Sequence, residues 1–263
     1  MNFRNFDEIN KKIENNYALT RKFHTVSFVQ KLQKKYLRFN DKMEIWDIIT
    51  NLETFVDVSD PDFCLPNKYH CFQTAEKIRN DNQEEWLIVV GLIHDLGKIL
   101  YKKGMDEDGT SMENQFSIVG DTFMVGCKIP STIVYSKYNK DNNDHIQYQN
   151  TPYGIYKPNI GLDNMISSFG HDEYLYQILK DKKNKNCLPE QALYVIRYHS
   201  MYVHHQDRAY KIFESEKDLQ YLKYLQLFSK YDLYSKCNEE LEIDYIYYKN
   251  LIRKYFKNSY LMI

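Results

Sequence analysis

The chain has 263 residues, 43% of them hydrophobic, so it can bury a sizeable core and is neither a disulfide-stapled peptide nor a disordered tail. Its 35 Lys and Arg nearly balance 36 Asp and Glu, and a net charge of −1 gives no basic field to attract nucleic acid or an anionic membrane. The sequence has no long apolar run, and its five cysteines are scattered, so we expect a cytoplasmic protein with reduced thiols. We also expect a monomer that binds neither nucleic acid nor membrane.

The positions of glycine and proline predict where long helices lie. All 9 glycines fall within residues 91–170 and all 6 prolines within 61–189. The segments outside this region carry apolar side chains at three- and four-residue spacing, in the series 13–20, 28–36, 43–49, 219–228 and 245–252. We therefore predict an all-α protein with a single domain over residues 1–263.

The middle of the chain is predicted to be more irregular, with one well-marked helix. Asn82 followed by Glu85 resembles a capping box, and Gly97 is a typical C-terminal stop, so we predict a helix of about four turns between them. His94 and Asp95 then lie in its last turn. Residues 102–115 and 139–154 are predicted as loops, and residues 131–138 as a short strand.

The motif His94-Asp95-Leu96-Gly97-Lys98 follows an apolar run and carries the first candidate chemistry. A histidine and a carboxylate side by side at the end of a buried helix can offer two metal ions a nitrogen and a bridging oxygen. By itself the His-Asp pair is weak, because such a pair also occurs as an ordinary helix end.

Four further side chains of the same types lie in other predicted helices. His70 lies upstream in a separate helix, and His171 opens another. His199 ends a segment that begins at Pro189, a residue suited to a first helical turn. Asp232 interrupts an aromatic stretch, where an unpartnered buried carboxylate would be costly. Four histidines and two aspartates could therefore enclose a dinuclear metal site, although each histidine could also be a packed core residue.

The spaced His, His-Asp and Asp pattern is similar to that of the HD-domain superfamily, most members of which are metal-dependent phosphohydrolases. Longer motifs resemble the myo-inositol oxygenase family more narrowly and follow its order across most of the chain. They are Asp-Val-Ser-Asp-Pro-Asp at 57–62, His-Asp-Leu-Gly-Lys at 94–98, Val-Gly-Asp-Thr-Phe-Met-Val-Gly-Cys at 119–127, Gly-Ile-Tyr-Lys-Pro at 154–158, Gly-Leu-Asp-Asn at 161–164, Gly-His-Asp-Glu-Tyr-Leu-Tyr-Gln at 170–177, Ile-Arg-Tyr-His-Ser at 196–200 and Lys-Tyr-Asp-Leu-Tyr at 230–234. Val58 departs from the family, which usually has an acid there.

The resemblance implies an HD-domain-like helical bundle with a buried dinuclear site, two iron ions in the mixed-valent Fe(II)/Fe(III) state, and O2 as co-substrate. The implied ligands are His70, His94 and Asp232 for one iron, His171 and His199 for the other, and Asp95 as the bridge. Such a nitrogen and oxygen donor set suits non-haem iron. The positive charge left over on the iron pair can stabilise an anionic substrate oxygen.

The resemblance also implies the substrate and the residues that contact it. The family cleaves the ring of myo-inositol with O2 to give D-glucuronate. Lys98 and Asp95 would be catalytic, with Lys98 donating to an inositol oxygen. The substrate contacts would be Arg4, Asp57, Ser59, Lys98, Gly120, Asp121, His199 and Ser200. A neutral polyol has to be recognised through many hydrogen bonds, and these short polar groups can supply them.

Two other functions remain compatible with the same ligands. An HD-type phosphohydrolase would act on a phosphoester with Mg²⁺, Mn²⁺ or Co²⁺ and without oxygen. A regulatory module would use the fold only to bind a partner, and retention of all six ligand residues disfavours it.

Overall fold

A computed structural model describes residues 10–61, 66–235 and 242–263, apart from the side chain of Tyr234. The described chain is mostly helical, as predicted. Its α-helices are α1 (Lys11–Phe23), α2 (Val26–Tyr36), α3 (Ile45–Asn51), α4 (Asn67–Asn80), α5 (Glu85–Ile93), α6 (Asn143–Tyr148), α7 (His171–Lys180), α8 (Glu190–Tyr198), α9 (Tyr202–His205), α10 (Glu216–Tyr234) and α11 (Tyr245–Tyr255). Short 3-10 helices lie at Leu52–Thr54, Leu96–Lys102, Asp106–Asp108, Ser136–Asp141, Leu162–Asn164 and Lys211–Phe213.

The helices predicted near the two ends of the chain are confirmed, and local capping explains several of their starts. The side chain of Asn10 accepts a hydrogen bond from the amide of Lys12 at the start of α1. Ser215 and Asp218 form a reciprocal capping box at the start of α10, and Asp244 caps α11.

Two short strands join the N-terminal and C-terminal parts of the described chain. Strand β1 (Lys42–Glu44) pairs antiparallel with β2 (Tyr260–Met262), and Met43 lies opposite Leu261. The prediction that Met43 belongs to a helix is therefore wrong. The helix of that series, α3, begins only at Ile45, because the preceding residues are paired with a distant strand.

Helix α5 lies at the centre of the packing. All of its residues from Trp86 to Ile93 are buried, as expected for a helix that is apolar on every side. Gly91 lets α5 approach α4 closely, since a Cβ built on it would lie 3.0 Å from the Cα of Ala75. Because α4 and α5 lead to His70 and His94, this close packing helps to place both histidines.

Three predictions for the middle of the chain are wrong in detail. Glu84, and not Asn82, precedes the first residue of α5, and the helix ends at Ile93 after 9 residues. Asn82 has a φ of 53°, which places it in a left-handed turn and not at a helix cap. Residues 131–138 contain no strand, since they form turns and the start of a 3-10 helix. Helix α6 lies inside the segment 139–154 that was predicted as a loop.

Buried hydrophobic side chains from most of the described chain pack into one cluster, whose first member along the sequence is Val29 and whose last is Ile263. Cys71 and Cys127 are buried and Cys187 is exposed, all as free thiols, whereas Cys64 and Cys237 lie outside the described residues. Among the helices described, none is long and apolar enough to cross a membrane.

His24, at the end of α1, should make the folded state sensitive to acid. It is buried with Nε2 2.9 Å from Ser117 Oγ, and burial together with the Arg21 cation lowers its pKa from 6.5 to about 3. As the pH falls below about 6.5, the unfolded chain binds a proton at this histidine that the folded chain does not bind. The free energy of unfolding should therefore fall by up to about 1.4 kcal/mol per pH unit on this account.

The variant His24→Gln should accordingly lose stability less steeply than the wild type between about pH 6.5 and pH 5. Urea unfolding at several pH values measures the two slopes. The half-buried His145 is a suitable control, because His145→Gln should change the slope less. Parallel slopes for wild type and His24→Gln would contradict the assignment.

Candidate metal centre and substrate cavity

The structure brings together all six predicted metal ligands from five separate parts of the fold. His70 lies in α4, His94 and Asp95 directly follow α5, His171 is the first residue of α7, His199 directly follows α8, and Asp232 lies in α10. Each of the six is buried. A group of titratable side chains this dense is unusual in a protein interior and marks a candidate functional site.

His70, His94 and Asp232 form the first group of ligand atoms. His70 Nε2 lies 2.8 Å from Asp232 Oδ1, and His94 Nε2 lies 3.4 Å from the same oxygen. The two Nε2 atoms are 3.3 Å apart. Three ligand atoms therefore surround a common point, although α4, α5 and α10 supply them independently.

His171 and His199 form the second group. Their Nε2 atoms are 3.0 Å apart, and Asp95 Oδ1 lies 3.0 Å from His171 Nε2 and 3.8 Å from His199 Nε2. The other oxygen of Asp95, Oδ2, faces the first group and lies 3.4 Å from His94 Nε2. One carboxylate thus presents a different oxygen to each group, which is the arrangement a bridging ligand needs.

Backbone carbonyls orient three of the imidazole rings. The Nδ1 atoms of His94, His171 and His199 lie 2.9, 2.6 and 2.8 Å from the carbonyl oxygens of Gly91, Ile118 and Ile196. Because a carbonyl oxygen only accepts, each Nδ1 carries the proton, and in the neutral ring Nε2 presents a lone pair. A hydrogen bond at the second ring nitrogen is typical of metal-ligating histidines.

The orientation of these rings tests whether the site fits a metal. In neutral His171 and His199, two Nε2 lone pairs face each other across 3.0 Å beside the Asp95 carboxylate. Lone pairs and an anion at this distance repel unless a cation lies between them. The site therefore fits a metal ion at each of its two groups of ligand atoms.

Both carboxylates of the site are held in the charged form. Burial alone would raise the pKa of Asp95, but Lys98 and His94 outweigh it and hold that pKa well below the usual range. The imidazoles of His70 and His94 likewise hold the pKa of Asp232 low in spite of burial. Ionised carboxylates are what a metal requires as ligands.

The donor set consists of imidazole nitrogens and carboxylate oxygens. The nearest thiol along the sequence, Cys71, is buried, and its pKa is raised well above the usual value, first by burial and then by the charge of Asp95. It therefore stays protonated and is a poor metal ligand. A nitrogen and oxygen set without thiolate suits zinc, manganese or non-haem iron.

Lys98 reaches the site from the 3-10 helix that follows Asp95. Its ammonium donates to Asn67 Oδ1 at 2.7 Å, to Asp57 Oδ2 at 2.8 Å and to Asp95 Oδ2 at 3.0 Å. Burial would lower the pKa of Lys98, but Asp57 and Asp95 raise it, so the side chain remains a cation. The pKa of Asp57 is in turn lowered by Lys98 despite burial.

A cavity opens beside the two groups of ligand atoms. Its lining includes all the predicted substrate contacts that the structure describes: Asp57, Ser59, Lys98, Gly120, Asp121, His199 and Ser200. Val58 is absent from the described lining, so its neighbours Asp57 and Ser59 supply that part of the wall. Arg4, the remaining predicted contact, lies outside the described residues.

Sequence reasoning missed four polar residues of the cavity, Tyr17, Asp60, Asn67 and Tyr202. The Tyr17 hydroxyl donates to Asp121 Oδ1 at 3.1 Å, although Tyr17 was assigned to an apolar helix face. The Asn67 side chain donates to Asp95 Oδ2 at 2.6 Å and accepts from Lys98. Asn67 precedes His70 by three residues and so shares its helix face, a signal that could have identified it.

Gly97 has a different role from the helix stop that was predicted. It lies inside the 3-10 helix Leu96–Lys102, and a Cβ built on it would lie 1.9 Å from the carbonyl oxygen of His171. The absence of a side chain thus lets the segment after Asp95 press against the first turn of α7, which carries a ligand.

The substitution Gly97→Ala should therefore push α7 away from Asp95. We expect a loss of about 1–3 kcal/mol or more in the free energy of unfolding, together with weaker metal binding, because the backbone of His171 has to shift. Thermal unfolding and metal content measure the two effects. Gly91→Ala is the comparison, since its Cβ would lie 3.0 Å from Ala75 and should be tolerated better. A Gly97→Ala protein as stable as the wild type would contradict this reading.

Comparisons with known proteins agree with the motifs. The family model described as myo-inositol oxygenase matches residues 10–262. A probable inositol oxygenase from Oryza sativa subsp. japonica is 42% identical over 262 residues, covering 97% of this chain and 83% of the relative. The inositol oxygenase of Mus musculus is 40% identical, covering 96% of this chain and 88% of its own length, and that of Dictyostelium discoideum is 38% identical with 98% and 88% covered.

Proposed function

Since this chain belongs to the myo-inositol oxygenase family, we propose that it cleaves the ring of myo-inositol with O2 and releases D-glucuronate and water. One molecule of inositol and one of O2 give one molecule of glucuronic acid and one of water, so atoms and the four electrons balance. The observation that supports this proposal most directly is a cavity lined by polar side chains beside two groups of potential metal ligands.

We propose two iron ions as the resident cofactor, in the mixed-valent state. His70, His94 and Asp232 would hold the first ion, and His171 and His199 the second. Asp95 would bridge them, because its two oxygens already face different groups. When bound, the iron pair supplies Lewis acidity toward substrate hydroxyls and the electrons that O2 chemistry requires.

Lys98 is the proposed hydrogen-bonding and electrostatic partner of the substrate. Its ammonium lies in the cavity and stays charged, so it can donate to a substrate oxygen and stabilise that oxygen after it has lost a proton. Asp57 and Asn67 fix where the ammonium sits through hydrogen bonds of 2.8 and 2.7 Å. The orientation of the charge is therefore set before substrate arrives.

The other lining residues would recognise the hydroxyls of a polyol. Ser59, Ser200 and Asp121 offer side-chain donors or acceptors around the cavity, and the backbone at Gly120 comes close because no Cβ stands in the way. Each hydroxyl can both donate and accept, so carboxylates and serine hydroxyls are suitable partners. The selectivity that results should depend on several hydroxyls at once.

The side-chain charges around the proposed metal ions disfavour the phosphohydrolase alternative. Five aspartates line the cavity, and of the described lining residues Lys98 alone carries a fixed positive charge. Three of those aspartates, Asp57, Asp60 and Asp121, are not proposed metal ligands. A phosphoester would bring further negative charge toward them, whereas a neutral polyol would not.

Oxygen consumption by iron-loaded protein tests the proposed reaction. Addition of myo-inositol should start O2 uptake with one glucuronate formed for each O2 consumed. Protein reconstituted with Mg²⁺ or Mn²⁺ under argon, supplied with phosphoesters, is the comparison. No O2 uptake by protein whose iron content is intact, together with phosphate release by the Mg²⁺ or Mn²⁺ protein, would replace the oxygenase by the phosphohydrolase.

We also propose that residues 1–263 form one HD-like domain that acts as a cytoplasmic monomer without nucleic acid or membrane partners. The apolar cluster that spans Val29 to Ile263 supports a single domain, and the net charge of −1 supports the lack of polyanion binding. Light scattering of the purified protein measures the oligomeric state directly.

A further inference from the structure

We infer that the buried ion pair between Glu173 and Arg197 is a positioning element that sets the spacing of His171 and His199, and so tunes the affinity for the second metal ion. This inference rests on the proposed two-ion site. It assigns a role to two residues that contact neither the cavity nor a ligand atom in the described structure.

The pair joins α7 and α8 at the ends that carry the ligands. Glu173 lies in the first turn of α7, two residues after His171. Arg197 lies in the last turn of α8, two residues before His199. Because α7 begins where α8 ends, a link between these two turns controls the distance between the two imidazole rings more directly than a link at the opposite ends would.

The geometry of the link is specific. Arg197 Nε donates to Glu173 Oε2 at 2.7 Å, and Nη2 lies 3.5 Å from Oε1. The Glu173 side chain is 2% exposed and that of Arg197 7%, so water competes little for either charge. A two-point guanidinium–carboxylate contact fixes orientation as well as distance, which an ammonium could not do.

Other contacts hold the guanidinium in place. Arg197 Nη1 donates to Asp163 Oδ1 at 3.2 Å, and its Cζ lies 4.5 Å from the centroid of the Tyr176 ring. Asp163 also accepts from the Tyr198 hydroxyl at 3.1 Å. The end of α8 is therefore anchored to α7 and to the 3-10 helix at Leu162–Asn164.

The second ion depends on this anchor because its two histidines are held differently. Both the amide and Nδ1 of His171 bond the carbonyl of Ile118, so that ring is tied to another segment. His199 Nδ1 bonds the carbonyl of Ile196 within its own helix, at 2.8 Å. The His199 ring therefore follows the end of α8. The Glu173–Arg197 pair links that end to α7, beside the bonds that the His199 and Ser200 carbonyls make with His205 Nε2 and the Thr122 amide.

Metal sites tolerate little error in ligand position. Ligand distances usually stay within about 0.2 Å of their preferred values, and displacements near 1 Å in an active site have large effects. The first group takes its separate ligands from α4, α5 and α10, none of which the pair joins. If the end of α8 becomes less firmly held, binding of the second ion should therefore weaken much more than binding of the first.

Anaerobic titration of the full-length metal-free chain with Fe²⁺, and in parallel with Co²⁺ followed by visible absorption, tests this. The wild type should bind two ions in two resolvable steps. In Glu173→Gln and Arg197→Lys, the affinity of the first binding step should stay within about twofold of the wild type. The affinity of the second step should fall by about tenfold or more. Far-UV circular dichroism confirms that each variant is folded.

The matched control is Glu214→Gln. Arg208 and Glu214 form a similar two-point contact, with distances of 3.1 and 2.5 Å, and neither lines the cavity. This variant should lower the melting temperature and leave both binding steps unchanged.

Two outcomes would overturn the inference while leaving the proposed reaction intact. One is unchanged affinity for both ions in Glu173→Gln and Arg197→Lys. The other is an equal weakening of both steps that tracks the melting temperature, as expected from general destabilisation. A wild-type chain that binds a single ion would instead reject the two-ion function itself, and this inference with it.

Discussion

Asp95→Asn should abolish the oxygenase reaction and remove both ions from the purified protein. The amide keeps the size of the side chain but loses the charge that both groups of ligand atoms share through Oδ1 and Oδ2. Substitutions of residues that only hydrogen-bond to a ligand already lower metal affinity by about 10–100-fold. Loss of the bridging carboxylate should therefore lower the affinity for each ion by at least about 100-fold.

Elemental mass spectrometry measures how much iron the Asp95→Asn protein retains, and O2 uptake measures its remaining activity. The control is Asp108→Asn, since Asp108 is another buried carboxylate that accepts from Lys35 and Tyr36 but does not line the cavity. That variant should lose stability and keep its iron. An Asp95→Asn protein that still holds two irons would refute the bridging role.

Lys98→Met should have the second largest effect. Methionine fills a similar volume without a charge, so a substrate oxygen loses its cationic partner and Asp57 and Asp95 lose the ion that holds their pKa values down. We expect kcat/KM to fall by about 10²–10³-fold with iron content largely kept. Steady-state kinetics on iron-matched samples provides the comparison.

The pH profile checks that Lys98 acts as a permanent cation, and a second lysine variant separates this role from an effect on folding. In the wild type the raised pKa of Lys98 keeps the ammonium charged through neutral and alkaline pH, so Lys98 should contribute no loss of activity between about pH 7 and pH 10. Lys35→Met is the control, because it breaks a pair with Asp108 outside the cavity. Equal losses in both variants would show that the effect of Lys98 is on folding alone.

The helical class could be read from the sequence, and the reason is physical. Segments without glycine or proline and with apolar side chains on one face form helices wherever a core is available, as α1, α2, α10 and α11 do. Strand β1 could not be predicted, because its three residues acquire their conformation from pairing with β2 at the far end of the chain.

The candidate site was predictable in composition and less so in detail. Histidine and aspartate at helix ends stand out in an apolar context, so the ligand set could be proposed before any coordinates. The roles of Gly97 and Asn67 depend on contacts with His171 and Lys98, which only the folded chain brings near. Such close approaches leave no periodic signal in the sequence.

The three hydrogen bonds of the Lys98 ammonium have a consequence for selectivity. An ammonium has three N–H groups, and Asp57, Asn67 and Asp95 already accept all of them. Lys98 can therefore donate to an incoming hydroxyl only if one of these three acceptors loses its hydrogen bond to the ammonium. A deoxy analogue lacks the oxygen that drives this exchange and leaves the three resident bonds intact, so Lys98 should discriminate against a missing hydroxyl only by the difference between the new bond and the bond that it replaces.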